Sequence, residues 1–171
     1  MMNDRYPIGA FTCPEVISNE QVQQWITELS TFPIRLKEVV ELISEEALES
    51  TYREGSWTVR QIVHHLADSH MNAYIRLKLA LTEENPTIKP YFEEKWAELP
   101  DYKLPITGSL KMIEAIHEHW VYLLENITEA QRKRTFTHPD SGIVSVEKNI
   151  GIYAWHSNHH LAHIKHALKQ F

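Results

Sequence analysis

Apolar residues recur at spacings of three and four in four separate segments of the chain, which is the period of an amphipathic α-helix. The first segment follows Ser18 and runs to about residue 43, with a kink expected at Pro33. The second follows Thr58 and runs to about residue 83. Both serine and threonine have a glutamine three residues later, a pattern that favours a capping box at the helix start.

The third segment runs from Ser109 to about Asn126, and the fourth begins at Ser145 or Val146. Four long amphipathic helices, joined by segments with only short additional elements, predict an all-α fold, a four-helix bundle. The connection 84–108 is long enough for a crossover. A Pro-Asp-Ser-Gly turn between β-formers predicts a small hairpin or an irregular loop in 134–146.

Prolines and a glycine among scattered aromatics make residues 1–17 an extended N-terminal arm, and short helical turns are expected after Ser44, within 92–99 and after Thr128. The 171 residues, of which 43% are apolar and 23% charged, fit one domain, 1–171, with its own core. The bundle therefore needs no second domain.

Charge and cysteine content exclude several classes of function. The formal net charge of -6 gives no cationic surface for a nucleic-acid backbone. A single cysteine, Cys13, cannot form an intramolecular disulfide, and the first residues lack a signal-peptide pattern. No apolar run approaches the roughly 18 residues of a membrane span. We therefore expect a cytoplasmic protein that binds neither nucleic acid nor membrane.

The last segment is rich in histidine, with five of the eleven histidines of the chain between Tyr153 and His166. His156 and His160 stand four apart, on one face of a helix, and could clamp a metal ion together. His159 and His163 have the same spacing, so spacing alone leaves the choice open. Either pair needs a further ligand from elsewhere in the chain.

The second helix offers that ligand in His64 or His65. His65 lies on a polar stripe that continues along one side of the helix through Gln61, Asp68 or Ser69, Asn72 and Arg76. His64 has a more surface-like set of neighbours. We therefore predict one divalent ion on His65, His156 and His160, against the alternative that these are surface or hydrogen-bonded histidines.

Three neutral imidazoles preserve the full charge of the ion, which can acidify a bound water or hold a thiol as thiolate. Other chemistries lack their motifs, since nucleophile elbows, phosphate loops and Cys-x-x-Cys pairs are absent. His117 and His119 lie about 200° apart on a helix and are predicted to face solvent. Cys13 is interpreted as structural or incidental.

Three stretches resemble one family: Tyr6-Pro-Ile-Gly, then Gly55-Ser-Trp-Thr-Val-Arg-Gln-Ile-Val-His-His-Leu-Ala-Asp-Ser-His, then Trp155-His-Ser-Asn-His-His-Leu-Ala-His. They are similar to the DinB-like superfamily, and especially to its YfiT branch, over almost the whole chain. The resemblance implies a four-helix bundle, a homodimer, and a metal site on His65, His156 and His160. It thereby selects between the two pairs on the last helix.

The resemblance also implies two competing activities, metal-dependent hydrolysis and transfer of a low-molecular-weight thiol of the bacillithiol type. The expected cofactor is one divalent metal per chain, zinc before nickel, and the expected substrate is a small molecule. Asp68 is predicted to orient the imidazole of His65, or else to act as general base. Asn72 and Arg76 would recognise an anionic thiol. A metal-binding stress-response module without turnover is the third hypothesis.

Overall fold

The computed structural model describes residues 4–170, which form a helical bundle with one small sheet. The elements in chain order are α1 (Asn19–Val40), α2 (Glu45–Leu48), α3 (Val59–Thr82), α4 (Glu93–Trp96), a 3₁₀ turn (Pro100–Lys103), α5 (Thr107–Glu125), α6 (Glu129–Arg132), β1 (Thr135–His138), β2 (Gly142–Ser145) and α7 (Val146–Gln170). The four long helices are those that the hydrophobic pattern predicts.

The starts of α1 and α3 follow the capping signals in the sequence. Ser18 accepts a hydrogen bond from the backbone N–H of Gln21, and Thr58 forms a complete capping box with Gln61. The start of α5 differs from its prediction, since the helix begins at Thr107 without a side-chain cap. Ser109, the predicted start, lies buried inside the helix because its hydroxyl pairs with a histidine of α3.

α1 continues through Pro33 as a single helix. A proline inside a helix has no N–H for the carbonyl four residues earlier, here that of Leu29. This carbonyl therefore lacks its usual donor within the helix.

The four long helices pack as a bundle in which α1 contacts α5 and α7, and α3 contacts the same two helices. This places α1 and α3 on opposite corners of the bundle, and α5 and α7 on the other two. The long connection between α3 and α5 thus joins neighbours, whereas the connections from α1 to α3 and from α5 to α7 cross the diagonal. The site described below lies where α3 and α7 meet.

The bundle core consists of two apolar clusters, one above the other along the helices. The Trp120 cluster includes Trp25, Leu29, Ala73, Trp120, Leu124, Ile150 and Tyr153. The Ile113 cluster includes Phe32, Leu36, Ile62, Leu66, Ile113, Leu161 and Ile164. Between the two clusters, three helices each place a histidine in the interior, and these residues are His70 on α3, His117 on α5 and His156 on α7. Ile75 of α3, in contrast, is 48% exposed.

β1 and β2 form the predicted hairpin, with Thr135 opposite Ser145 and His138 opposite Gly142. Gly142 has φ +78, a left-handed conformation that glycine adopts without strain. The backbone of Thr137 exchanges hydrogen bonds with Pro86 and Ile88, which fastens the long connection to the hairpin.

Residues 4–17 contain turns and bends but no helix or strand. They lie along α7, where the indole N–H of Trp155 donates to the carbonyl of Gly9 at 3.0 Å. Among residues 4–170, no helix is both long enough and apolar enough to cross a membrane.

Candidate metal centre

His65 of α3 meets His156 and His160 of α7 in the interior of the bundle. The Nε2 atoms of His65 and His156 are 3.3 Å apart. The ring of His160 lies 4.9 Å from that of His65 and 4.5 Å from that of His156, between centroids. One nitrogen from each residue lies within 4.8 Å of the other two. The helix pair that the sequence predicted therefore brings these three imidazoles together.

Burial keeps the three imidazoles neutral at ordinary pH. Removal from water lowers the pKa of His65 to about 4 and holds the pKa values of His156 and His160 well below their usual range. The neighbouring histidines lower the values at His156 and His160 further, because two positive rings would repel each other. Neutral imidazole is the form that binds a metal ion.

The spacing of the two facing nitrogens fits a tetrahedral ion. Two ligand nitrogens that each lie about 2.0–2.1 Å from a tetrahedral zinc are roughly 3.3 Å apart. The Nδ1 atom of His65 and that of His160 have no hydrogen-bond partner in the structure, so neither ring is committed to another polar group through that atom. The donor set suits a zinc-like or nickel-like ion, which prefers imidazole ligands.

A second group of histidines competes for the same role. One nitrogen from each of His159, His160 and His163 also lies within 4.8 Å of the others, and all three residues belong to α7. His163 is stacked on Tyr52 with ring centroids 3.9 Å apart, and His159 is stacked on Trp155 at 4.5 Å. Burial lowers the pKa of His163, while the backbone at Asp4 and Arg5 opposes the shift.

The polar stripe of α3 has partners that the sequence did not reveal. The carboxylate of Asp68 accepts a hydrogen bond of 2.6 Å from the hydroxyl of Tyr102, and burial raises its pKa. No hydrogen bond joins Asp68 to His65, contrary to the expected orienting role, because the 3₁₀ turn brings Tyr102 against this side of α3.

Asn72 and Arg76, the other two residues singled out on the stripe, also face partners within the chain. The side-chain amide of Asn72 donates to the backbone carbonyl of Asp68 at 2.8 Å. Burial raises the pKa values of Glu93 and Tyr153, and the charge of Arg76, which is half-buried close to both, opposes that shift. The Nε atom of Arg76 has no hydrogen-bond partner in the structure.

His64 is not the surface residue that its sequence neighbours suggested. It is buried, with Nδ1 2.7 Å from the hydroxyl of Ser109 and Nε2 3.0 Å from the carbonyl of Leu104. The reason is that α5 packs against this side of α3. His64 therefore joins the two helices and takes no part in the cluster of His65.

His117 was predicted to face solvent and is instead 2% exposed, while His119 does face solvent. Nδ1 of His117 lies 2.7 Å from the carbonyl of Leu29, and Nε2 lies 2.7 Å from Nδ1 of His70. His70, which sequence reasoning did not consider, is fully buried, and its Nε2 lies 3.3 Å from Nδ1 of His156.

The sequence does contain a signal for the burial of His70 and His117. His70 stands four residues after Leu66 and three before Ala73, and His117 stands in the same relation to Ile113 and Trp120. Each histidine thus occupies a position on the apolar stripe of its helix.

Comparison with known proteins places the chain in a family. The model of the DinB superfamily matches residues 28–164, and the chain belongs to this superfamily. Two curated relatives bear the name "putative metal-dependent hydrolase". The relative from Halalkalibacterium halodurans is 52% identical over 167 residues, which cover 98% of both chains. The relative from Oceanobacillus iheyensis is 56% identical over 169 residues, covering 99% of this chain and 98% of the other.

Among solved structures, the chain is similar to YfiT from Bacillus subtilis, described as "a probable metal-dependent hydrolase with an unusual four-helix bundle topology". The TM-score is 0.95 at 49% identity, and the match covers 98% of this chain and 97% of YfiT. The mycothiol-dependent maleylpyruvate isomerase shares the fold alone, with a TM-score of 0.63, 13% identity and coverage of 81% and 60%. The predicted family and the predicted four-helix bundle are both confirmed.

Proposed function

We propose that the protein is a metal-dependent hydrolase in which His65, His156 and His160 hold one divalent ion, zinc in preference to nickel, with a coordination position open for water. The observation that carries the proposal is the 3.3 Å separation of two neutral imidazole nitrogens, on the buried His65 and the half-buried His156, with a third imidazole beside them. The names of the close relatives support hydrolysis as the reaction class.

When held by three neutral imidazoles, a zinc-like ion lowers the pKa of a coordinated water to about 7 and polarises a substrate carbonyl. The chain's own contribution is to keep its ligands neutral and fixed. Trp57 packs on the ring of His65 with centroids 4.7 Å apart, and α7 presents its two histidines one turn apart on a single face. The surrounding core has its own apolar contacts, so the metal-free protein should remain helical.

Metal analysis of purified variants tests the ligand set. We expect about one divalent ion per chain in the wild type, a large loss in His65→Ala and His156→Ala, and retention in His159→Ala. Since His160 belongs to both groups, the contrast between His156 and His159 is the informative one. Loss of metal in His159→Ala with retention in His156→Ala would move the ion to the second group and refute the proposed site.

Transfer of a small thiol is the second candidate function, and one observation favours it. Within residues 4–170, no carboxylate makes a hydrogen bond to His65, His156 or His160, and the nearest acidic residue on the stripe, Asp68, is paired with Tyr102. A hydrolase usually needs a general base, whereas a thiol is deprotonated by coordination itself. Arg76, about 16 Å along α3 from His65 at ~1.5 Å per residue, could bind the anionic end of such a thiol.

The two candidate reactions are separated by assaying the metal-loaded enzyme on esters and amides without thiol, and on a thiol with a chlorinated nitroarene. The transferase hypothesis predicts that Arg76→Ala raises KM for the thiol at least about tenfold while metal content is unchanged. Hydrolysis without thiol that depends on Asp68, with metal retained in Asp68→Asn, would exclude the transferase. If the protein is active in neither assay, the non-catalytic metal-binding module is the remaining hypothesis.

We propose further that the enzyme is cytoplasmic, acts on a small molecule and forms a homodimer, the last on the strength of the family resemblance. Light scattering at micromolar concentration should then give twice the chain mass of 20.0 kDa. A measured mass equal to a single chain would refute the dimer.

A further inference from the structure

A row of hydrogen-bonding groups crosses the interior of the bundle and ends at the candidate metal centre. It begins at the carbonyl of Leu29, which lacks the usual donor four residues on because Pro33 has no N–H. The Nδ1 atom of His117 lies 2.7 Å from this oxygen. A carbonyl oxygen can only accept, so His117 must carry its hydrogen on Nδ1. The opposite tautomer would press a nitrogen lone pair against the oxygen.

This one fixed tautomer determines the next two. In a neutral imidazole with hydrogen on Nδ1, Nε2 can only accept. The Nε2 atom of His117 lies 2.7 Å from Nδ1 of His70, so His70 must donate from Nδ1 and accept at Nε2. The Nε2 atom of His70 lies 3.3 Å from Nδ1 of His156, which must then be the donor in that pair. Three imidazoles in series thus have their hydrogens on the same ring atom.

The consequence appears at the far end of the row. With its hydrogen on Nδ1, His156 directs the lone pair of Nε2 toward Nε2 of His65, 3.3 Å away. This is the tautomer that a metal ligand bound through Nε2 requires. The ring is also held against rotation, because its other nitrogen is occupied.

Within residues 4–170, neither ring nitrogen of His70 makes a hydrogen bond to any other group. Its ring is fully buried and contacts Phe32, Trp120 and Tyr153 at centroid distances of 5.4, 5.9 and 5.6 Å. Such an apolar setting disfavours a charged ring, and burial accordingly holds the pKa of His70 well below its usual range.

We propose that the carbonyl of Leu29, His117 and His70 act as a chain of positioning groups that fixes His156 in the Nδ1–H tautomer and so prepares its Nε2 for the metal ion. The proposal rests on the proposed metal site for its function. His70 and His117 themselves touch neither the ion nor a substrate. Pro33 then contributes to the metal centre indirectly. Because it has no N–H, the carbonyl of Leu29 is available to pair with His117, where the row starts.

The tautomers can be read directly by long-range ¹H–¹⁵N correlation NMR on protein labelled with ¹⁵N-histidine, with His70→Phe and His117→Phe used for assignment. We expect Nδ1–H signals for His117, His70 and His156 in the metal-free wild type, unchanged after zinc is added. An Nε2–H signal for His117 or His70 would overturn the proposal. The tautomers are read from the folded wild type, and where a variant fails to fold, contacts between ring protons and neighbouring side chains assign the signals instead.

Zinc affinity, measured by competition with a chromophoric chelator, tests whether the row acts on the ion. His70→Phe preserves the aromatic ring but not its nitrogens, and we expect a 10- to 100-fold weaker affinity, the usual effect of losing the partner of a metal-bound histidine. His117→Phe should weaken binding less, because His70 remains. His119→Gln, two residues along α5 and exposed, is the matched control and should stay within about twofold of wild type.

A double variant completes the test. If His117 acts through His70, adding His117→Phe to His70→Phe should cause no further loss of zinc affinity. Wild-type affinity in a folded His70→Phe variant would refute the positioning role and leave the metal site intact. Absence of zinc binding in the wild type would refute the proposed function instead, and the tautomer of His156 in the metal-free protein would still decide whether the row sets it.

Discussion

The bundle interior contains two kinds of region that are stabilised differently. The Trp120 and Ile113 clusters are held by apolar contacts, which have no preferred direction and depend on volume and buried area. The histidine layer between them, formed by His70, His117 and His156, depends on the pairing of each ring nitrogen with one partner. On α3 and α5 the histidines occupy the same helical stripe as the apolar residues on either side.

This difference teaches that position on an apolar stripe does not make a residue part of an apolar core. In the clusters, removal of a methyl group costs free energy in proportion to the space it leaves. In the layer, removal of one nitrogen leaves its neighbour buried without a partner, which costs about 1–3 kcal/mol with almost no change in volume. The layer thus fixes side-chain geometry next to the proposed metal site.

The largest effect on stability should come from opening a cavity in one of the two apolar clusters. Leu36→Ala removes a fully buried side chain from the Ile113 cluster and should lower the free energy of unfolding by about 2–5 kcal/mol. Urea unfolding of the metal-free protein measures this. Zinc affinity of the folded variant should match the wild type, and a parallel loss of zinc binding would contradict the separation of the two regions.

Acid should weaken the layer but not the clusters. Burial lowers the pKa of His117 to about 4, from 6.5 in an exposed chain. Since the unfolded state then binds the extra proton, the contribution of His117 is fully present above pH 6.5 and is lost as the pH falls toward 4. The difference between the two pKa values corresponds to about 3 kcal/mol.

Urea unfolding of the metal-free protein at several pH values measures this loss. His117→Phe should show a shallower decline with acid, while Leu36→Ala should lower the curve without changing its slope. Equal slopes in wild type and His117→Phe would mean that His117 is not held neutral by the fold.

A smaller effect is expected where two helices pack closely in the Trp120 cluster. A Cβ on Gly151 of α7 would lie 2.7–2.9 Å from ring carbons of Trp25. Gly151→Ala should therefore destabilise the protein by about 1–3 kcal/mol, despite the better helix propensity of alanine. Gly108→Ala in α5 meets no atom within 4 Å and should stabilise it slightly, by about 0.5–1 kcal/mol. Thermal unfolding measures the melting temperatures of the two variants. A shift of both melting temperatures in the same direction would contradict the prediction.

The smallest effect should come from the histidine that lies outside both regions. His119→Gln changes an exposed side chain of α5 and should alter the free energy of unfolding by no more than about 0.5 kcal/mol. His117→Gln, two residues away, should cost roughly 1–3 kcal/mol because one nitrogen of the layer loses its partner. Similar values for the two variants in urea unfolding would contradict the burial of His117.

The sequence by itself determined the four helices, two of their caps, the hairpin and the family. These features depend on local chemistry: the spacing of apolar residues, a hydroxyl before a helix, and a glycine in a turn. The candidate ligands His65, His156 and His160 were also within reach, because a shared helix face follows from spacing and the resemblance selected among the pairs. Whether these residues hold an ion stays a prediction.

Only the tertiary structure decided which other histidines are buried and what they touch. His64, His70 and His117 receive partners from residues 40 to 88 positions away in sequence, on helices or loops whose contact depends on how the bundle is assembled. The same holds for Asp68, whose carboxylate pairs with Tyr102 of the long connection. Helical periodicity gives the direction in which a side chain points but not the group it meets, because that partner is set by packing between distant segments.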